Sequence, residues 1–220
     1  NLRGGRPLAA LRSFEKALPK HPDNPRLHML IAEAQLRLNR CDDGLKWAGP
    51  LRDKPAFRLD MPEQLASCAA RTGDYSEAVY WQEELLAFDP DVAEGWATLA
   101  LYRYRLGDVA GTDSALVEAW ELDPEHTRLL ITRATIAVSE GQIELADELI
   151  DELGQRPEGE VVARTLEARV LLDLDDPVGA ERLLAQAKRM QIANWNVLAL
   201  RAEAQRRTGD AETADATARR

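Results

Sequence analysis

Alanine carries the apolar pattern of this chain. Ala32, Ala66, Ala100, Ala134, Ala168 and Ala202 stand 34 residues apart without a gap. A second small series runs twelve residues behind it, at Gly44, Ala78, Thr112, Ala146, Ala180 and Ala214, with Ala10 in phase ahead of them. A third, of alanine or leucine, lies seven residues further on, at Ala17, Leu51, Leu85, Ala119, Leu153 and Ala187. Between the first two series falls a residue that tolerates left-handed backbone: Gly5, Asn39, Gly73, Gly107, Gly141, Asp175 and Gly209. Such residues close one helix before a tight reversal. Pro22, Pro90 and Pro124 share one phase, with Pro55 and Pro157 one residue early, and proline belongs before a helix or in its first turn. Each period therefore predicts helix, turn, helix and linker, with small residues where the paired helices cross.

The predicted fold is all-α, with about thirteen helices in antiparallel pairs. The units are 25–58, 59–92, 93–126, 127–160 and 161–194, forming a single array over 1–220 with partial repeats at 1–24 and 195–220. The first partial repeat is a lone helix near 5–20. Pro62 falls where a helix interior is due, so that helix is expected to start late. The basic linker 52–58 predicts a local irregularity near 55–62.

Composition narrows the function classes. Hydrophobic residues are 45% and aromatics 5%, which favours helices over strands. The formal charge of −10 repels a phosphate backbone and argues against nucleic acid. No apolar run reaches the ~18 residues of a membrane span, so no membrane insertion is expected of this segment. The chain opens on Asn1 rather than methionine, and the expectation is a portion of a longer protein. Both ends of the array are open, which makes them candidate surfaces for self-association; Leu8, Leu11 and Phe14 of the first helix lack a preceding partner. Cys41 and Cys68, 27 residues apart, match neither a disulfide framework nor a metal spacing, and read as small buried apolar residues.

A small residue at position eight, glycine at fifteen, small at twenty, alanine or leucine at twenty-seven and proline at thirty-two resembles the tetratricopeptide repeat. Unit 93–126 is the nearest match, through Trp96, Leu99, Ala100, Gly107, Ala119 and Leu122-Asp123-Pro124. The resemblance covers the whole chain. It implies a right-handed superhelical solenoid whose first helices line a concave groove that binds a protein or peptide. The groove positions give Arg37, Arg71, Leu101, Tyr104, Arg105, Ile131, Val138, Arg169 and Leu172 as candidate partner-binding residues. Arg37, Arg71 and Arg105 share one phase and suit partner carboxylates, although a basic residue is common there in the family. No unit has Lys at position five with Asn at nine, so the family's clamp for the acidic termini of chaperones is missing. Position seven, apolar in the first three units, becomes Arg133, Glu167 and Arg201, which reads either as an ionic ladder or as side chains reaching solvent.

No catalytic, metal or cofactor site is expected. His21, His28 and His126 are scattered, and no metal-ligand pair, nucleophile elbow or phosphate loop is present. The leading reading is a non-catalytic interaction scaffold. The alternatives are a substrate-recruiting region of a larger enzyme, such as a glycosyltransferase or sulfotransferase, and an RNA-reading helical array, which the phase and the acidic balance disfavour.

Overall fold

The computed structural model describes residues 7–51, 62–157, 159–189 and 195–218. Gly5, the side chain of Ala187 and the expected irregularity in linker 52–58 with Pro55 lie outside the described residues. Two compact units make up the chain, residues 1–124 and 125–220. The first holds α1 (Pro7–Ala17), α2 (Pro25–Arg37), α3 (Cys41–Ala48), α4 (Pro62–Thr72), α5 (Tyr75–Phe88), α6 (Ala93–Leu106) and α7 (Val109–Leu122). The second holds α8 (Thr127–Ser139), α9 (Ile143–Gly154), α10 (Glu160–Asp173), α11 (Pro177–Arg189), α12 (Trp195–Arg207) and α13 (Ala211–Ala218). Among the described residues there are thirteen α-helices and no strand, and each unit is a solenoid-like stack of helix pairs.

Every predicted turn that is described adopts the predicted geometry. Gly73, Gly107, Gly141 and Gly209 have φ between 69° and 86°, and Asn39 and Asp175 sit at 60° and 61°. The next residue then starts the second helix. Asp74, Asp108, Asp176 and Asp210 each accept a hydrogen bond from the backbone N–H three residues on, at 2.9–3.1 Å. A turn residue followed by a capping aspartate is thus one device for reversing the chain, and each cap contributes about 1 kcal/mol. Asn24 caps α2 in the same way, accepting from the amides of Arg26 and Leu27. Pro62 is the first described residue of α4, and the expected late start of that helix lies outside the described residues.

Small residues lie at the helix crossings. The six alanines of the first series are all at 0–1% exposure, and Ala78, Ala146, Ala180 and Ala214 of the second are at 0%. At Gly44 even a methyl group would come within 2.5 Å of Leu36. On α1, Ala10 and Leu11 are buried against α2 and Phe14 packs on the same cluster, while Leu8 stays exposed.

Two expectations need correction. Cys41 and Cys68 are bonded to each other as a disulfide, with Cα atoms 5.1 Å apart, rather than packing as separate thiols. Position seventeen of one repeat meets position ten of the next, and these cysteines occupy that pair. At the following junction Tyr75 faces Tyr102 there, with ring centroids 6.5 Å apart. The ionic ladder also fails at its last rung. Arg201 turns to Glu181 on the preceding second helix, its Nε and Nη2 donating to one carboxylate oxygen at 3.0 and 2.8 Å. Gln205 donates to the same oxygen at 3.1 Å and accepts from the Thr217 hydroxyl at 2.9 Å. Glu167 is exposed.

Two stability predictions follow from these geometries. Asp175→Gly relieves a side chain held at φ 61° and should stabilise the second unit by about 0.5–1 kcal/mol, whereas Gly107→Ala at φ 85° should cost the first unit about 1–2 kcal/mol. Urea unfolding followed by circular dichroism reads both signs. Glu181→Ala leaves Arg201 and buried Gln205 without their shared acceptor and should cost about 1–3 kcal/mol. Glu83→Ala is the control: Glu83 is exposed, and its partner Arg103 keeps a bond to the Gly111 carbonyl, so the loss should stay below about 1 kcal/mol. Equal losses in thermal melts of the two variants would refute the network's importance.

Candidate functional site

The first helices of adjacent pairs touch one another within each unit, α2 with α4, α8 with α10 and α10 with α12. Within each unit these helices form a layer, and the candidate residues occupy recurring positions of the first helices.

In the first unit, Arg37 and Arg71 lie in the last turns of α2 and α4, and Arg105 in the last turn of α6. All three are exposed. Arg37 pairs with Glu33 one turn back at 2.8 Å. Arg71 donates through Nη1 to the side-chain oxygen of Asn39, the residue that closes α2. Leu101 and Tyr104 on α6 are half-buried, so each keeps a face toward solvent. The first unit therefore presents three guanidinium groups and, on α6, two partly open apolar side chains.

The second unit keeps less of the expected surface. Leu172 is 1% exposed and Val138 9%, both inside apolar clusters. Position twelve lies at the border between the groove face and the helix seam. An aliphatic side chain there gains about 1.5–3 kcal/mol by rolling inward, and these two do. They are core residues rather than groove contacts. Ile131 is half-buried against one of those clusters, and Arg169 is exposed and pairs with Glu203 at 3.4 Å.

The arginine phase has a structural use that sequence reasoning passed over. Arg207 occupies the same repeat position as Arg37, Arg71 and Arg105, and its Nη1 donates to the Leu172 carbonyl at 2.7 Å. That carbonyl belongs to the last turn of α10, so Arg207, like Arg71, reaches back to the end of the preceding first helix. Cations there complement the helix dipole, and the Leu172 carbonyl, which already accepts from the Asp175 amide at 3.2 Å, gains a second donor. The signal was legible in the phase itself, since Arg207 lies 102 residues after Arg105.

Among the described residues, no group of three or more His, Cys, Asp or Glu side chains is placed to hold a metal ion. None of their helices is long and apolar enough to cross a membrane.

Comparison with known proteins agrees with this architecture. The family model for the tetratricopeptide repeat matches residues 2–48. Protein FlbA of Caulobacter vibrioides is 26% identical over 138 residues, a stretch covering 63% of this chain and 23% of FlbA's length. A tetratricopeptide repeat protein from Parabacteroides merdae superposes with a TM-score of 0.76 at 16% identity, over 98% of this chain and 85% of that one. The Cut9–Hcn1 hetero-tetramer of the APC/C superposes at 0.63 and 13% identity, over 99% of this chain and 44% of the other. At such identities the likeness speaks for the fold alone. Taken with the 34-residue register, the recurring left-handed turns and the paired helices, it gives the chain the helix-pair fold of tetratricopeptide repeat proteins, with residues 2–48 matching that family's model.

Proposed function

We propose that the chain is a non-catalytic scaffold whose first-helix layer binds an extended segment of a partner protein. The observation that carries this reading is the exposed series Arg37, Arg71 and Arg105, together with the half-buried Leu101 and Tyr104 on the helix of Arg105. Guanidinium groups donate in pairs to carboxylates, while the two apolar faces offer area to bury. The ligand of the first unit is then a segment that alternates acidic and apolar side chains. In the second unit, Ile131 on α8 and Arg169 on α10 offer the same chemistry on that unit's own first-helix layer. A net charge of −10 disfavours nucleic acid in this role.

Existing partnerships of the arginines do not forbid this. The Arg37–Glu33 pair is about half exposed on the arginine side, and such surface pairs contribute only about 0–1 kcal/mol, so exchange for a ligand carboxylate costs little.

Selection from a displayed peptide library should enrich sequences carrying Asp or Glu interspersed with leucine or aromatic residues. Arg71→Ala combined with Arg105→Ala should weaken the best peptide by about 10- to 100-fold at low ionic strength, from roughly 1.5–3 kcal/mol of charge-assisted bonding. Affinity of the parent chain should fall as salt rises, and unfolding of the double variant should shift by less than about 1 kcal/mol. Selected peptides without acidic residues, or an unchanged affinity in the double variant, would overturn the assignment.

A further inference from the structure

The Cys41–Cys68 bond stands at a seam that the neighbouring junctions close without covalent help. The 27-residue separation is one repeat less seven, which joins position seventeen of one unit to position ten of the next. The next junction fills this seam with Tyr75 and Tyr102. In the second unit Ile143 packs against the cluster that contains Val170, at the same two positions. Apolar contact is therefore sufficient at this place in the repeat. At the first junction it is also present around the bond, since Ala32, Ala48, Leu65, Ala66 and Trp81 form one buried cluster spanning the two hairpins. Removal of the bond leaves a packed but less constrained junction.

One cysteine of the pair also borders a cleft. Cys41 is the first residue of α3 and lines an open cleft of about 480 Å³, whose rim carries Arg40, Asp42, Asp43 and Arg71. Two arginines face two aspartates there, so the rim has no large net charge to repel an incoming thiolate. Both cysteines are themselves buried, Cys41 at 8% and Cys68 on α4 at 6% exposure, so the attacking thiolate has to enter by the cleft that Cys41 lines. No described cysteine is left over to exchange with the pair.

We propose that Cys41–Cys68 is a thiol–disulfide switch that locks the α2–α3 hairpin onto the α4–α5 hairpin when oxidised and loosens that junction when reduced. The reductant is a dithiol, which supplies two electrons. Its thiolate attacks the Cys41 Sγ from the cleft, breaking the sulfur–sulfur bond and expelling the Cys68 thiolate, which takes up a proton. The second thiol of the reductant loses its proton and attacks the mixed disulfide, forming the reductant's own disulfide. Cys41 leaves as a thiolate and takes up the second proton. The protein then carries two thiols in a seam that needs no covalent bond to stay packed.

The test uses the full chain in native buffer, with dithiothreitol as the dithiol and hydrogen–deuterium exchange as the readout. Alkylation should count no free thiol in the oxidised chain and two after treatment, without denaturant. Amides of α2 and α3 should then exchange roughly 10- to 100-fold faster, as expected when a loop of this size loses its cross-link. Amides of α8–α13 should be unchanged, and reoxidation should restore the original rates. Cys41→Ala with Cys68→Ala should exchange like the reduced parent and ignore dithiothreitol; should that variant fail to fold, the reduced parent alone decides. Thiols that become alkylatable only in denaturant would make the bond a permanent staple and overturn the proposal. So would reduced parent chain that exchanges at the oxidised rate, or two free thiols found before any treatment.

Discussion

Everything in this molecule depends on how closely two antiparallel helices can approach within one repeat. Helix axes this close admit only alanine, glycine or an occasional threonine at the crossing, and the buried series from Ala32 to Ala202 meets that demand in every unit. Gly44 marks the limit, since a single added methyl would meet Leu36 at 2.5 Å. Close crossing in turn requires the chain to reverse within two residues. That is why a left-handed residue and a capping aspartate recur at the same phase, and why Asn39 and Asp175 are accepted where glycine would be easier. Stacking of one pair on the next is then a consequence, because the larger side chains excluded from the crossing are left to fill the space between pairs.

This dependence explains which features the sequence disclosed. A backbone requirement repeats at every unit, so period, turns and helix pairs were legible from composition at fixed phase. Contacts between units depend on which side chain happens to occupy a shared position, and these were harder to read. Cys41 and Cys68 looked unrelated when judged by their separation in sequence. Their repeat positions, seventeen and ten, would have brought them together, as the Tyr75–Tyr102 pair one repeat later shows. Val138 and Leu172 erred in the opposite direction. Repeat position alone put them on the groove, but position twelve is a border: Leu36 and Tyr104 stay half-buried there, while Val138 and Leu172 are buried.

Arg133, Glu167 and Arg201 carry the same lesson about charge. Alternating signs on neighbouring helices suggested a ladder along the first-helix layer. Arg201 instead finds Glu181 across the seam, at 15% side-chain exposure, where its bonds also satisfy Gln205. A half-buried guanidinium loses more by facing a distant exposed carboxylate than by closing a short hydrogen-bonded network, so geometry outranks sign.

Under the proposed function, the arginines at position thirteen would serve stack and ligand together. A guanidinium has five donors in a rigid fork, and a single carbonyl or amide oxygen engages only part of it. Arg71 spends one nitrogen on Asn39, and Arg207 divides its two terminal nitrogens between the Leu172 carbonyl and Glu203. What remains on Arg71 is aimed by that anchoring, which lowers the entropy lost when a carboxylate arrives. Exposed charge contacts are individually weak, however, so under the proposed function the arginines would fix the position and direction of a bound segment while most of its affinity would come from area buried elsewhere. In the first unit the partly open apolar side chains on the helix of Arg105 are Leu101 and Tyr104. A segment held by the arginines alone would exchange rapidly, and selectivity would then rest on how well its apolar side chains fit this one helix.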